Sequence, residues 1–166
     1  MTLSTILRKA REEVLDEAID ELQRASASHY ERRGEAFTRA RLGDLFDLAA
    51  DAIAQKDLAP LKTHIEDIAQ RRFASGFDIS EVQAAFNSLE VSMWRRVVAE
   101  TEPEGLAEAI GLLSTVMGFA KDALSRKYVS LASHRHVGSL DMRALFSGVS
   151  SSEVAPDAPQ GFGSTS

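Results

Sequence analysis

The chain has 166 residues, the size of one ordinary domain, and its 44% hydrophobic and 27% charged residues are the mix of a water-soluble globular fold. Its formal charge of −6 weighs against a general nucleic-acid or anionic-membrane binder, since both require a positive field. There is no cysteine, which excludes disulfides, thiolate chemistry, zinc fingers and iron–sulfur clusters. The longest nearly apolar stretch, residues 111–120, is too short to span a bilayer, and residues 1–9 lack the apolar core and cleavage site of an export signal. A cytoplasmic helical domain is the expectation.

Glycine and proline are scarce until the end of the chain, and apolar residues recur in steps of three and four, which is helical spacing. A first helix is predicted over residues 4–24. Leu7, Ala10, Val14 and Ala18 form one stripe with Leu15, Ile19 and Leu22 beside it, and the opposite face is charged from Arg8 to Glu21. Such a face reads as solvated. Residues 25–34, small and polar, read as a connection. A second helix is predicted over residues 35–55, with Phe37, Leu45, Leu48, Ala49, Ala52 and Ile53 inward and Leu42 and Phe46 widening the stripe.

A third helix starts after Asp57 with Pro60 in its first turn, buries Leu61, Ile65, Ile68 and Phe73, and stops at Gly76. Asp78 or Ser80 caps a fourth, with Glu81 in its first turn. Ile79, Val82, Phe86, Leu89, Met93 and Val97 keep its period, and Val91, Trp94 and Val98 form an adjacent seam. After Glu102-Pro103 a fifth helix is predicted over residues 103–132. Leu106, Ile110, Leu113, Met117, Ala120 and Leu124 make one apolar side, and Leu112, Val116, Phe119 and Ala123 make a second. A helix apolar on two sides is central or packs on another subunit. Beyond Ser133, Ser139 is a possible cap for a short helix over residues 140–146, and the Ser/Gly/Pro/Ala-rich remainder predicts disorder.

Catalytic and metal-binding signatures do not emerge. The residues three before each histidine are Ser26, Leu61, Leu131 and Ser133, so no Glu-x-x-His pair is formed. His134 and His136, two apart, point to different sides of a helix. His64 is a surface or boundary histidine, with axial haem ligation as the rival reading. No phosphate loop, nucleophile elbow or zinc-protease motif occurs. The expectation is a non-enzyme without a cofactor or metal. The doublets Arg32-Arg33, Arg71-Arg72 and Arg95-Arg96 lie apart along an acidic chain and read as local ion pairs rather than phosphate contacts.

The run from Ile65 to Val82 (IEDIAQRRFASGFDISEV), continued by Ala85 to Glu90 and by Trp94-Arg95-Arg96, resembles the N-terminal domain of RsbT co-antagonist proteins of the RsbRD type. The segment Arg41 to Leu48 is similar to that domain's preceding helix. The resemblance covers residues 3–131. It implies a regulatory, all-helical, haem-free domain of globin-like form, related to the sensor domains of stressosome proteins, which commonly dimerise and precede an output module. After Ser133 only a short helix and a tail are predicted here, so output is expected in trans, through binding.

The sequence reading is therefore an all-α, five-helix, globin-like bundle over residues 1–133 with a tail over residues 134–166. Its function is expected to be that of a sensor or adaptor that contacts a signalling protein and forms a homodimer, through Val91, Trp94, Val98, Leu112 and Phe119. Two alternatives stand beside it. One is a globin-type sensor binding haem or a small molecule. The other is a cargo or scaffold subunit recruited through a tail docking peptide of Leu140, Arg143, Leu145 and Phe146, near a Val137-Gly138-Ser139-Leu140 piece that resembles cargo-loading peptides of encapsulin shells.

Overall fold

A computed structural model describes residues 1–25 and 28–139, with side chains up to residue 134. Among the described residues all regular structure is helical. The helices are α1 (Leu3–Lys9), α2 (Arg11–Arg24), α3 (Ser28–Arg33), α4 (Glu35–Gln55), α5 (Ala59–Ala74), α6 (Ile79–Glu100) and α7 (Pro103–Ser139). Two compact units divide the chain, Met1–Leu131 and Ala132–Ser166, and the packing described below is that of the first. No helix among the described residues is long and apolar enough to cross a membrane.

Among the described residues seven helices stand where the apolar period predicts five. The first predicted helix is interrupted at Ala10, whose φ of −92° and ψ of 7° leave the helical range. Its N–H reaches both Ile6 O at 3.2 Å and Leu7 O at 3.1 Å, so the ladder tightens for one residue, and Val14 N–H then bonds Ala10 O at 2.9 Å. Neither glycine nor proline marks this point. The stripe survives intact, because Leu7, Ala10, Val14, Leu15, Ala18, Ile19 and Leu22 are all buried.

The second addition, α3, occupies part of the predicted connection. It is six residues long and too short to be stable alone. Tyr30 anchors it in the core, and Glu81 Oε1 of α6 accepts from the Ser28 hydroxyl at 3.1 Å and from the His29 N–H at 3.3 Å. These partners are fifty residues downstream in the chain, out of reach of a local pattern. At the other end α7 runs past residue 132 and includes Ser139, which is thus no helix cap. The predicted helix over residues 140–146, with Leu140, Arg143, Leu145 and Phe146, lies outside the described residues.

Helix α4 touches α1, α2, α3, α5 and α6. Its fully buried side is Leu42, Leu45, Phe46 and Ala49, while Phe37 and Leu48, predicted inward, sit half-buried at the margin. The core joins these to Leu7, Leu15, Leu61, Ile65, Leu89, Met93, Leu113, Met117 and Leu124, all completely covered.

The turn between α5 and α6 follows the sequence closely. Gly76 has φ +81°, a conformation a side chain resists. Phe77 N–H bonds Arg72 O at 3.0 Å and Gly76 N–H bonds Phe73 O at 3.2 Å, the paired closure of a Schellman stop. Asp78 then opens α6, and its N–H donates to Glu81 Oε2 at 3.2 Å. The Tyr128 hydroxyl of α7 donates to Phe77 O at 3.1 Å, keying α7 to the same turn.

Candidate protein-binding face

Both flanks of α6 are occupied. Toward α2, Arg95 meets Glu21 at 3.1 Å, and Arg96 meets Glu13 and Glu17 at 2.8 Å each. Toward α7, Gln83 donates to the Ser125 hydroxyl at 3.2 Å, and Lys121 reaches Asn87 at 3.4 Å and pairs with Glu90. The crest left between these flanks carries Val91, Trp94 and Val98, which are 42%, 44% and 39% exposed. Steps of three and four place them on one side of the helix. They form a continuous apolar ridge.

The contacts of residue 83 with 125 and of 87 with 121 set α6 and α7 antiparallel, so positions rise along one helix as they fall along the other. Extended by whole turns, that register puts Val91 near the height of Gly118, Trp94 near Ser114 and Val98 near Gly111. Gly111, Ser114 and Gly118 are exposed, and a Cβ placed on either glycine would meet nothing within 4 Å. A shallow trough on α7, formed by Gly111, Ser114 and Gly118, thus lies beside the ridge on α6. Leu112, 37% exposed, and Phe119, half-buried against the core, lie on the flank of α7 that faces away from α6. Leu112 lines a cavity of about 410 Å³ there, with Leu3, Ile6, Ile53 and Ala109. Of the five residues proposed from sequence, three are brought together and two are set apart. The trough was missed, although two glycines in mid-helix, each costing stability relative to alanine, were its visible signal.

A family model described as the RsbT co-antagonist protein rsbRD N-terminal domain matches residues 12–136. The chain belongs to this family. The match spans α2 to α7 apart from the last turn and includes the whole ridge and trough. No curated protein and no solved structure was found to match. Membership points to a stressosome-type signalling regulatory domain.

The remaining candidates fall elsewhere in this family member. His64 is half-buried on α5, where burial holds its pKa below the usual histidine value against the opposing carboxylates of Asp44 and Asp67. No group of three or more His, Cys, Asp or Glu side chains among the described residues is placed to hold a metal ion. His134 is exposed on α7. The arginine doublets divide. Arg71 pairs with Asp67 one turn back, and Arg95 and Arg96 pair across to α2, as expected for local ion pairs. Arg72 departs from that expectation: it is 6% exposed and stacks on the rings of Phe37 and Phe77 at 4.7 and 5.3 Å.

The acidic face of α2 is solvated at Glu12, Glu13 and Asp16, whose side chains are 68%, 63% and 64% exposed, and it also pairs with neighbouring elements: Arg39 of α4 with Glu12 and Asp16, and the two α6 arginines with Glu13, Glu17 and Glu21. Arg11 of the same helix makes a two-pronged contact with Asp47 of α4 at 2.8 and 2.9 Å.

Proposed function

We propose that this chain is a non-enzymatic, globin-like regulatory domain that forms a homodimer through the α6–α7 face and passes its signal to a protein partner by direct contact. The observation that carries the reading is the ridge of Val91, Trp94 and Val98 standing beside the exposed Gly111–Gly118 trough. Large apolar side chains on a helix crest leave an unmet hydrophobic gain. A trough of two glycines and a serine lets a second helix approach closely, and ridge and trough can meet their counterparts across a two-fold axis. Aromatic residues such as Trp94 are favoured anchors at such centres.

The family description names RsbT, so a signalling protein is the class of partner this reading assigns. A signal that changes the relative stability of two packings of α7 would shift the population of the partner-binding state. Trp94 is the chain's single tryptophan, so fluorescence excited at wavelengths that its two tyrosines do not absorb reports on this face alone. Emission is expected to shift to shorter wavelength as protein concentration rises and the indole leaves water. A spectrum that stays at the position of a hydrated indole at every concentration contradicts the dimer.

A further inference from the structure

Side-chain size alternates between α6 and α7 at successive heights of their shared face. Where α6 carries Val91, Trp94 and Val98, α7 carries Gly118, Ser114 and Gly111 at the same levels. Toward the other end the order reverses. Val129 lies about five whole turns along α7 from Gly111, so it falls on the same side of the helix, and it is 64% exposed. The register of residue 83 with 125 sets it level with the start of α6, where Ser80 is exposed and Ala84 half-buried. Between the two zones Asp122 stands near the level of the polar Asn87. Among the described residues six large apolar side chains are exposed, and four of them, Val91, Trp94, Val98 and Val129, share this face.

We propose that the two copies pack with their two-fold axis parallel to α6 and α7, so that α6 of each copy lies over α7 of the other in register. This rests on the α6–α7 dimer proposed above and adds its orientation. A two-fold axis between two such faces runs either across the aligned helices or along them. Directed across, it lays each helix on its own counterpart. Centred at Trp94, that axis sets ridge on ridge and leaves both troughs unfilled. Moved toward the start of α6 until Val129 meets Gly111, it brings the two Asp122 carboxylates close together, and like charges there repel.

Directed along the helices, the axis keeps every height and exchanges the two helices. Trp94 then meets Ser114 of the second copy, Val98 meets Gly111, Val91 meets Gly118, and Val129 covers Ala84 beside Ser80. Large side chains meet small ones at each of these levels, as ridges fill grooves between packed helices. Asp122 faces the polar Asn87 instead of its own copy. Both chains reach Leu131 at the same end of the pair, so a partner that is itself two-fold contacts both copies alike.

The chain has no cysteine, so one introduced cysteine carries a spin label at a single place. Glu104→Cys and Arg126→Cys put labels at exposed positions about 33 Å apart along α7, outside the ridge and trough. Double electron–electron resonance on each labelled full chain is expected to give about 20–30 Å at both sites, since the axis adds no separation along the helices. An axis across the helices makes the two distances add to about 66 Å or more wherever it cuts the face. That result overturns the orientation and leaves the dimer standing. A mass of 18.1 kDa with no dipolar coupling overturns the dimer and the orientation with it. Val129→Lys is expected to keep the fold, because the side chain is exposed in the single chain, and to weaken association roughly tenfold. Unchanged association would remove the Val129 contact and overturn the matched register.

Discussion

Glu81 does three jobs from one position in the first turn of α6. Its carboxylate accepts from Ser28, from His29 N–H and from Asp78 N–H, and it lies 2.6 Å from His29 Nδ1. Burial alone would raise its pKa, but these hydrogen bonds outweigh burial and hold it below 4.5. A carboxyl depressed in the folded state stabilises above its unfolded pKa and loses that contribution as pH falls through the folded value. Glu81→Gln is therefore expected to cost about 1–2 kcal/mol at pH 7, the scale of a lost cap and charged hydrogen bond. In urea unfolding the difference from wild type should narrow as pH drops below 4.5. A difference that stays constant to acid pH contradicts the assignment.

Single residues differ in how far the sequence discloses them. Gly76 was readable because only glycine adopts φ +81° cheaply, and Gly76→Ala is expected to cost about 1–2 kcal/mol in chemical denaturation. Lys56 adopts φ +54° at the end of α4, and nothing in its type announces it. Arg72 was hidden for a different reason. Its surroundings are aromatic rings from α3, α4 and the turn before α6, and no local pattern indicates which rings a guanidinium will meet.

At the scale of elements, the bounds of α4 were legible and those of α6 nearly so, because long amphipathic periods end there in charged or cap-forming residues. The break at Ala10 and the short α3 were not: the first is a local tightening of the backbone ladder that neither glycine nor proline marks, and the second depends on hydrogen bonds to Glu81 and on burial of Tyr30 rather than on propensity. Helix α7 offers two contrasting substitutions. Leu113 is fully covered, so Leu113→Ala is expected to cost about 2–5 kcal/mol in urea unfolding. Gly111 and Gly118 sit in open space within the same helix. Replacing either by alanine should raise the stability of the single chain by about 0.5–1 kcal/mol. The same change puts a methyl group into the trough and is expected to weaken self-association. Unfolding measured at low concentration and association measured at high concentration should then move in opposite directions. Parallel movement would show that the trough plays no part in docking.

For the whole molecule, the fold class and the family were open to sequence reading because both rest on core and capping residues: the run from Ile65 to Val82 contains the α5–α6 stop and start, and the family match extends on both sides of it. The face was half legible. Exposure of Val91, Trp94 and Val98 follows from their place in the α6 period, but the direction of Leu112 and Phe119 depends on which side of α7 meets α6. The contacts of Gln83 with Ser125 and of Lys121 with Asn87 and Glu90 reveal that orientation, and partners this far apart in the chain are out of reach of a local pattern. The account's central claim is that the α6–α7 face holds two copies together. Light scattering on the full chain, over a range of concentrations, tests it most directly. Wild type is expected at twice the 18.1 kDa chain mass, with Trp94→Ala shifted toward 18.1 kDa and Val98→Glu at 18.1 kDa. A wild-type mass of 18.1 kDa at every concentration, or a dimer unchanged by a charge at Val98, would contradict it.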